Sequence, residues 1–97
     1  MSAFTDKRVV VTGAAGVFGR WITEAFLREG ARVCLADQRA EAARAILADN
    51  RVAADRAFVQ ETDLMSEASI EALAGAVKAR WGSADIVINN AGIYPQG

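Results

Sequence analysis

Thr12-Gly13-Ala14-Ala15-Gly16-Val17-Phe18-Gly19 links a short β-branched run, Arg8-Val9-Val10-Val11-Thr12, to a segment with helical apolar spacing. A strand that stops at a glycine-rich turn and restarts as a helix aims the first N–H groups of that helix at whatever occupies the turn. Glycines at 13, 16 and 19 let the chain turn sharply and approach a pyrophosphate with no Cβ in the way. The stretch therefore reads as a dinucleotide-phosphate loop. Alone it is a weak signal, because glycine-rich turns also arise by chance and serve methyltransferases and nucleotide kinases. No Gly-Lys-Ser/Thr ending is present, which disfavours a nucleoside-triphosphate loop.

Working outward, the apolar spacing predicts a helix over 17–29 with Phe18, Ile22, Ala25, Phe26 and Leu27 inward and Gly30 as its stop. A second strand follows at 32–36, ended by Asp37, and an alanine-rich helix at 40–49. A weaker third strand is expected at 57–60. The next helix should run over 67–81, with Ser66 as N-cap, Ile70, Leu73, Val77 and Trp81 as its apolar stripe and Gly82 as its stop. A fourth strand is expected at 85–89. Trp21 and Trp81 are read as packing residues and Cys34 as a small core residue. Arg20 either leans toward the loop or is an exposed helix arginine. Alternating strands and helices imply an α/β class: part of a doubly wound parallel sheet of the Rossmann type, in the order 3-2-1-4, truncated after the fourth strand.

Composition narrows the partners. The 97 residues carry 11 basic and 12 acidic side chains, a net charge of −1, so no footprint for nucleic acid or an anionic membrane stands out. There is no uncharged apolar tract of membrane-spanning length, and the N-terminus lacks a hydrophobic signal core, so a cytoplasmic location is expected. A single cysteine excludes an internal disulfide, and the absence of histidine removes the commonest metal ligand and general base. No metal site is expected.

Asp37 stands 18 positions after Gly19 at the end of the second strand, where a carboxylate can accept hydrogen bonds from adenosine ribose hydroxyls and repel a 2′-phosphate. NAD is favoured over NADP, although Arg39 could pair with such a phosphate. Thr12-Gly13 with its spaced glycines, Asp37, Thr62-Asp63-Leu64 after the third strand and Asn89-Asn90-Ala91-Gly92 after the fourth together resemble the short-chain dehydrogenase/reductases, and the shorter branch of that family. The Asn-Asn-Ala-Gly run is the more specific mark. By this resemblance Asp63 binds the adenine amino group and the Leu64 backbone lies beside it. Asn90, Ala91 and Gly92 line the adenosine ribose, while Asn89 supports the sheet. The candidate cofactor contacts are thus Gly13, Gly16, Phe18, Gly19, Asp37, Asp63, Leu64, Asn90, Ala91 and Gly92. One departure stands out: the shorter branch usually reads Thr-Gly-x-x-x-Gly-x-Gly, and here Val17 occupies the middle glycine's site while Gly16 opens the loop one position earlier.

The resemblance implies hydride transfer between nicotinamide and a small-molecule carbonyl or secondary alcohol. It also implies a catalytic serine, tyrosine and lysine that come later than these residues. The single tyrosine, Tyr94, is followed by only three of the 97 residues, and Lys7 and Lys78 lie elsewhere, so no residue is nominated as catalytic. Residues 1–97 are expected to be the N-terminal part of a single NAD(P)-binding Rossmann domain, homo-oligomeric when complete, whose uncovered fourth strand invites self-association. Two alternatives remain open: a non-catalytic dinucleotide-binding or sensor module, and an S-adenosylmethionine-binding domain.

Overall fold

The computed structural model describes residues 2–90; the predicted contacts Ala91 and Gly92, and Tyr94, lie outside them. Seven elements alternate: β1 (Arg8–Thr12), α1 (Val17–Arg28), β2 (Arg32–Asp37), α2 (Ala40–Asp49), β3 (Ala57–Glu61), α3 (Glu67–Trp81) and β4 (Ile86–Asn89). The strands form one parallel sheet in the order β3-β2-β1-β4, with Val9 opposite Val33 and Ile86, and Val33 opposite Ala57.

Side chains alternate across the sheet with period two, and the two faces are covered unequally. Val9, Val11, Val33, Leu35 and Ala57 pack with Ala43 and Ile46, joined by the partly buried Ile22, Phe26 and Leu27, so α1 and α2 cover one face. Val10, Cys34, Ala36 and Phe58 pack with Leu73 and Val77 on the other, under α3. Right-handed crossovers explain the arrangement. The steps β1 to β2 and β2 to β3 move the same way along the sheet and place their helices on one face. The step β3 to β4 reverses direction, so its helix lands opposite. That reversal opens a crevice beyond the carboxyl ends of β1 and β4.

The helix boundaries follow local chemistry. The Ser66 Oγ accepts the Ser69 N–H at 3.2 Å, and Glu67 and the pair Lys78 and Arg80 complement the two ends of α3. Gly30 and Gly82, at φ 81° and 83°, follow α1 and α3 as expected. At the amino end of the sheet, Asp85 Oδ2 accepts from the Arg8 amide at 2.8 Å and the Arg8 guanidinium at 3.1 Å. This pins β4 to β1 and uses Asp85 as an anchor before β4, one residue later than the expected strand start.

Four packing expectations need correction. Trp21 is 68% exposed: α1 presents Gly19 and Thr23 to the sheet, and at 100° per residue Trp21 lies about 200° round the helix from Gly19. Trp21 aligns with the exposed Val17 and Ala25 instead. Phe18 and Ala25 are likewise exposed, and Ile70, in the first turn of α3, is left uncovered. Trp81 does pack, edge-on to Phe58 with ring centroids 5.0 Å apart, while the Arg80 guanidinium lies 4.5 Å over the same ring. Cys34 is fully buried, and burial pushes its thiol up to about 12.

Candidate functional site

The loop between β1 and α1 is shaped by two of its glycines. Gly13 has φ 65°, a left-handed conformation that a side chain disfavours. Gly19 is excluded from carrying a side chain by contact: a Cβ there would lie 1.9 Å from the Gly13 carbonyl oxygen and 2.8 Å from Ala14 Cα. Gly16, by contrast, has φ −72° and ψ 171°, extended backbone open to any residue. The fold itself makes no dihedral demand for glycine at 16.

Gly16 is the N-cap of α1, and its amide closes the turn on the Gly13 carbonyl at 3.1 Å. The Arg20 amide makes a helical bond back to Gly16 O at 2.8 Å. Unlike α2 and α3, whose first turns carry Glu41 and Glu67, α1 has no acidic residue in its first turn, and its N-cap Gly16 has no side chain to cap it. The positive end of its dipole thus meets no acidic side chain of its own first turn, an arrangement that suits an external anion.

Neighbouring strand ends hold this loop from both sides. Just past β4, Asn90 is fully buried and donates its Nδ2 to the Gly13 carbonyl at 3.1 Å, and its Oδ1 has no partner among the described residues. The Thr12 hydroxyl donates to the Asn89 Oδ1 at 3.0 Å, tying the ends of β1 and β4. From β2, Asp37 Oδ2 accepts the Ala15 amide at 3.0 Å, while Oδ1 accepts the Arg39 amide at 2.8 Å and the Arg39 Nε at 3.3 Å. The Asp37 side chain is only 5% exposed, against 63% for Arg39. Burial alone would raise the Asp37 pKa; the amides of Arg39 and Ala15 and the Arg39 guanidinium outweigh it and hold the carboxyl below its ordinary value.

Beyond β3, Asp63 turns back on its own segment. Its Oδ1 accepts the Met65 amide at 2.9 Å and the Gln38 Nε2 at 3.3 Å, and its amide donates to the Ser69 hydroxyl at 2.8 Å. Asp63 and Leu64 are half-buried, on the same side of the sheet ends as Asp37, and the Thr62 amide reaches the Asp37 carbonyl at 3.0 Å. Arg20 points away from the loop, paired with Glu24 and Asp49 at 3.2 and 3.0 Å.

The structure thus gathers Gly13, Gly16, Phe18, Gly19, Asp37, Asp63, Leu64 and Asn90 along the carboxyl edge of the sheet. Sequence reasoning missed the Ala15 amide and Gln38. The first is a backbone donor with no residue-type signal. The second is a polar residue between two charged ones, distinguished only by what lies across from it. Among the described residues no group of three histidine, cysteine, aspartate or glutamate side chains could hold a metal ion, and no helix is long and apolar enough to cross a membrane.

A parallel sheet in the order 3-2-1-4, with a glycine-rich turn at the point of reversal, defines a doubly wound α/β protein of the Rossmann type. The family model described as short chain dehydrogenase matches residues 7–97, and the chain belongs to that family. It is 43% identical over 88 residues to a sorbitol dehydrogenase of Cereibacter sphaeroides, covering 91% of this chain and 33% of that protein. An NADP-dependent 3-hydroxy acid dehydrogenase of Escherichia coli is 32% identical over 85 residues, covering 88% of this chain and 33% of that one. Among solved structures, a short chain dehydrogenase/reductase of Burkholderia phymatum in complex with NAD superposes with a TM-score of 0.79 at 30% identity, covering 90% of this chain and 31% of its own. The chain spans about a third of the length of the curated relatives it matches.

Proposed function

We propose that these residues form the cofactor-binding part of an NAD-dependent oxidoreductase acting on a small-molecule carbonyl or secondary alcohol. The observation that carries the reading is the N-terminus of α1, capped by a glycine and with no acidic residue in its first turn, beside a buried, ionised Asp37. The first suits a pyrophosphate, and the second suits ribose hydroxyls. Gly16 fits the same group, because a hydrogen in place of Cβ lets the backbone come close to the phosphates. Asp63, Leu64 and Asn90, with Ala91 and Gly92, are assigned to the adenosine half, and Phe18, in the first turn of α1, is kept as a cofactor contact. A bound nicotinamide cofactor would supply or accept the hydride; the described residues bind and orient it.

The preference for NAD rests on charge. A 2′-phosphate would face the Asp37 carboxylate, and the Arg39 guanidinium that could neutralise it is engaged by that same carboxylate at 3.3 Å. Ribose hydroxyls, in contrast, can replace the guanidinium as donors to Oδ1. Calorimetry with NAD and NADP tests the reading. NAD should bind the tighter, and Asp37→Ala should weaken NAD by about 10- to 100-fold, the worth of hydrogen bonds to a charged acceptor, while narrowing the gap to NADP. Tighter binding of NADP, or binding of neither, would overturn it. Sorbitol and related polyols head the substrate panel, since the relative at 43% identity is a sorbitol dehydrogenase.

A further inference from the structure

Asp37 does more in this fold than wait for a ribose. A carboxylate offers about four acceptor sites, and three are already taken, by the Ala15 amide, the Arg39 amide and the Arg39 Nε. The Ala15 bond crosses from β2 into the glycine loop. The other described backbone tie between that loop and β2, from the Ala14 amide to the Ala36 carbonyl, is long at 3.4 Å. The Gly16 to Gly13 bond is internal to the loop and does not place it against the sheet. On the β4 side the Asn90 amide holds Gly13. The loop is therefore gripped at one shoulder by a neutral amide and at the other by an ionised carboxylate, and bonds to a charged acceptor are the stronger kind.

We propose that Asp37 is a positioning residue for the phosphate loop: by holding the Ala15 N–H it sets where the N-terminus of α1 stands, so its loss weakens phosphate binding even for a ligand with no ribose hydroxyls. The proposal rests on the cofactor reading above and assigns Asp37 a second role within it. Three of the four acceptor sites are filled, two of them on Oδ1 by Arg39. A ribose can thus take the guanidinium's place, and the open site on Oδ2, while the Ala15 bond persists. The two roles use different lone pairs and are separable by experiment.

Asp37→Asn keeps the shape but offers one acceptor oxygen and sets an NH2 group against the remaining donors. Amide exchange in the ligand-free chain reads the tie directly. The Ala15 N–H should exchange at least about tenfold faster in Asp37→Asn, while the Val9, Val10 and Val11 amides keep their protection. The consequence is read with 2′,3′-dideoxyadenosine 5′-diphosphate, which carries the phosphates and lacks both hydroxyls; its affinity should fall severalfold in Asp37→Asn. A backbone ester in place of the Ala14–Ala15 amide deletes the donor and leaves the carboxylate. It should reproduce the loss for both NAD and the dideoxy probe, and it carries the test if Asp37→Asn does not fold. Unchanged Ala15 exchange would overturn the tie. Faster exchange with undiminished affinity for the dideoxy probe would overturn the positioning role, leaving Asp37 a ribose acceptor only. If the unaltered chain binds neither NAD nor the probe, the cofactor reading falls, and the exchange result still decides the tie.

Discussion

Replacing Gly19 by alanine should be among the most damaging single-methyl additions this chain can receive. The added Cβ would sit 1.9 Å from the Gly13 carbonyl oxygen, 2.8 Å from the Gly13 carbonyl carbon and 2.8 Å from Ala14 Cα. Carbon and oxygen normally approach no closer than about 3.3 Å, so the loop and helix must part by more than an ångström. All three obstacles are backbone, which has no rotamer to change. Overpacking of this kind costs ~1–3 kcal/mol, and the upper end applies where nothing can rotate away. Helix propensity returns at most ~1 kcal/mol. The net loss is about 2 kcal/mol, or a melting temperature lower by roughly 8–16 °C for a domain of this size.

Gly75 provides the control. It lies in α3 with nothing within 4 Å of a built Cβ, so Gly75→Ala should gain the propensity alone, up to ~1 kcal/mol, and melt about 4–8 °C higher. Thermal unfolding of both variants by circular dichroism, repeated in urea to check the slope, makes the comparison. Equal melting temperatures for Gly19→Ala and Gly75→Ala would refute the claim that backbone contact dictates residue 19.

Three further outcomes are expected. The Asp85 carboxyl is lowered to about 2, first by its side-chain bond with Arg8 and then by the Arg8 amide; a depressed carboxyl contributes stability above its unfolded value near ~3.9 and loses it as pH falls toward the folded one. Acid unfolding should therefore carry a component between about pH 4 and 2 that is absent in Asp85→Asn. Cys34, buried and raised to about 12, should resist iodoacetamide at pH 8 in the folded chain and react on unfolding, so rapid native labelling would contradict its burial. Val87 is 63% exposed beside Val10 on the α3 face, on a strand with one hydrogen-bonded neighbour among the described residues. The chain should associate with rising concentration, and Val87→Lys should reduce that association in light scattering; a monodisperse unaltered chain would count against it.

Much of the architecture was legible because its signals are local. β-branched runs, helical spacing, the Ser66 cap and the glycines after α1 and α3 act within a few residues of where they are written, so α2 and α3 begin and end where the pattern puts them. Trp21 shows where such reading stops. A periodic apolar residue faces the core only if the helix is rotated to present it, and α1 is rotated by the fit of Gly19 against the Gly13 carbonyl. That contact is spatial, and apolar spacing alone does not reveal it.

The site divides along the same line. Residue types at Gly13, Asp37, Asp63 and Asn90, in their order, were enough to indicate the family and the strand order, because a parallel βα alternation with right-handed crossovers admits few arrangements. Tertiary structure decided what those residues do for one another. It brought the Asp37 carboxylate to the Ala15 amide and the Asn90 amide to the Gly13 carbonyl, across separations of 22 and 77 residues. Bonds between side chains and backbone across that distance depend on where the sheet places two loops, and backbone donors look the same at every residue but proline. The sequence by itself determined the kind of fold and the chemical groups available at its crevice. Only the folded sheet decided which of those groups are already engaged, and so how the loop is held.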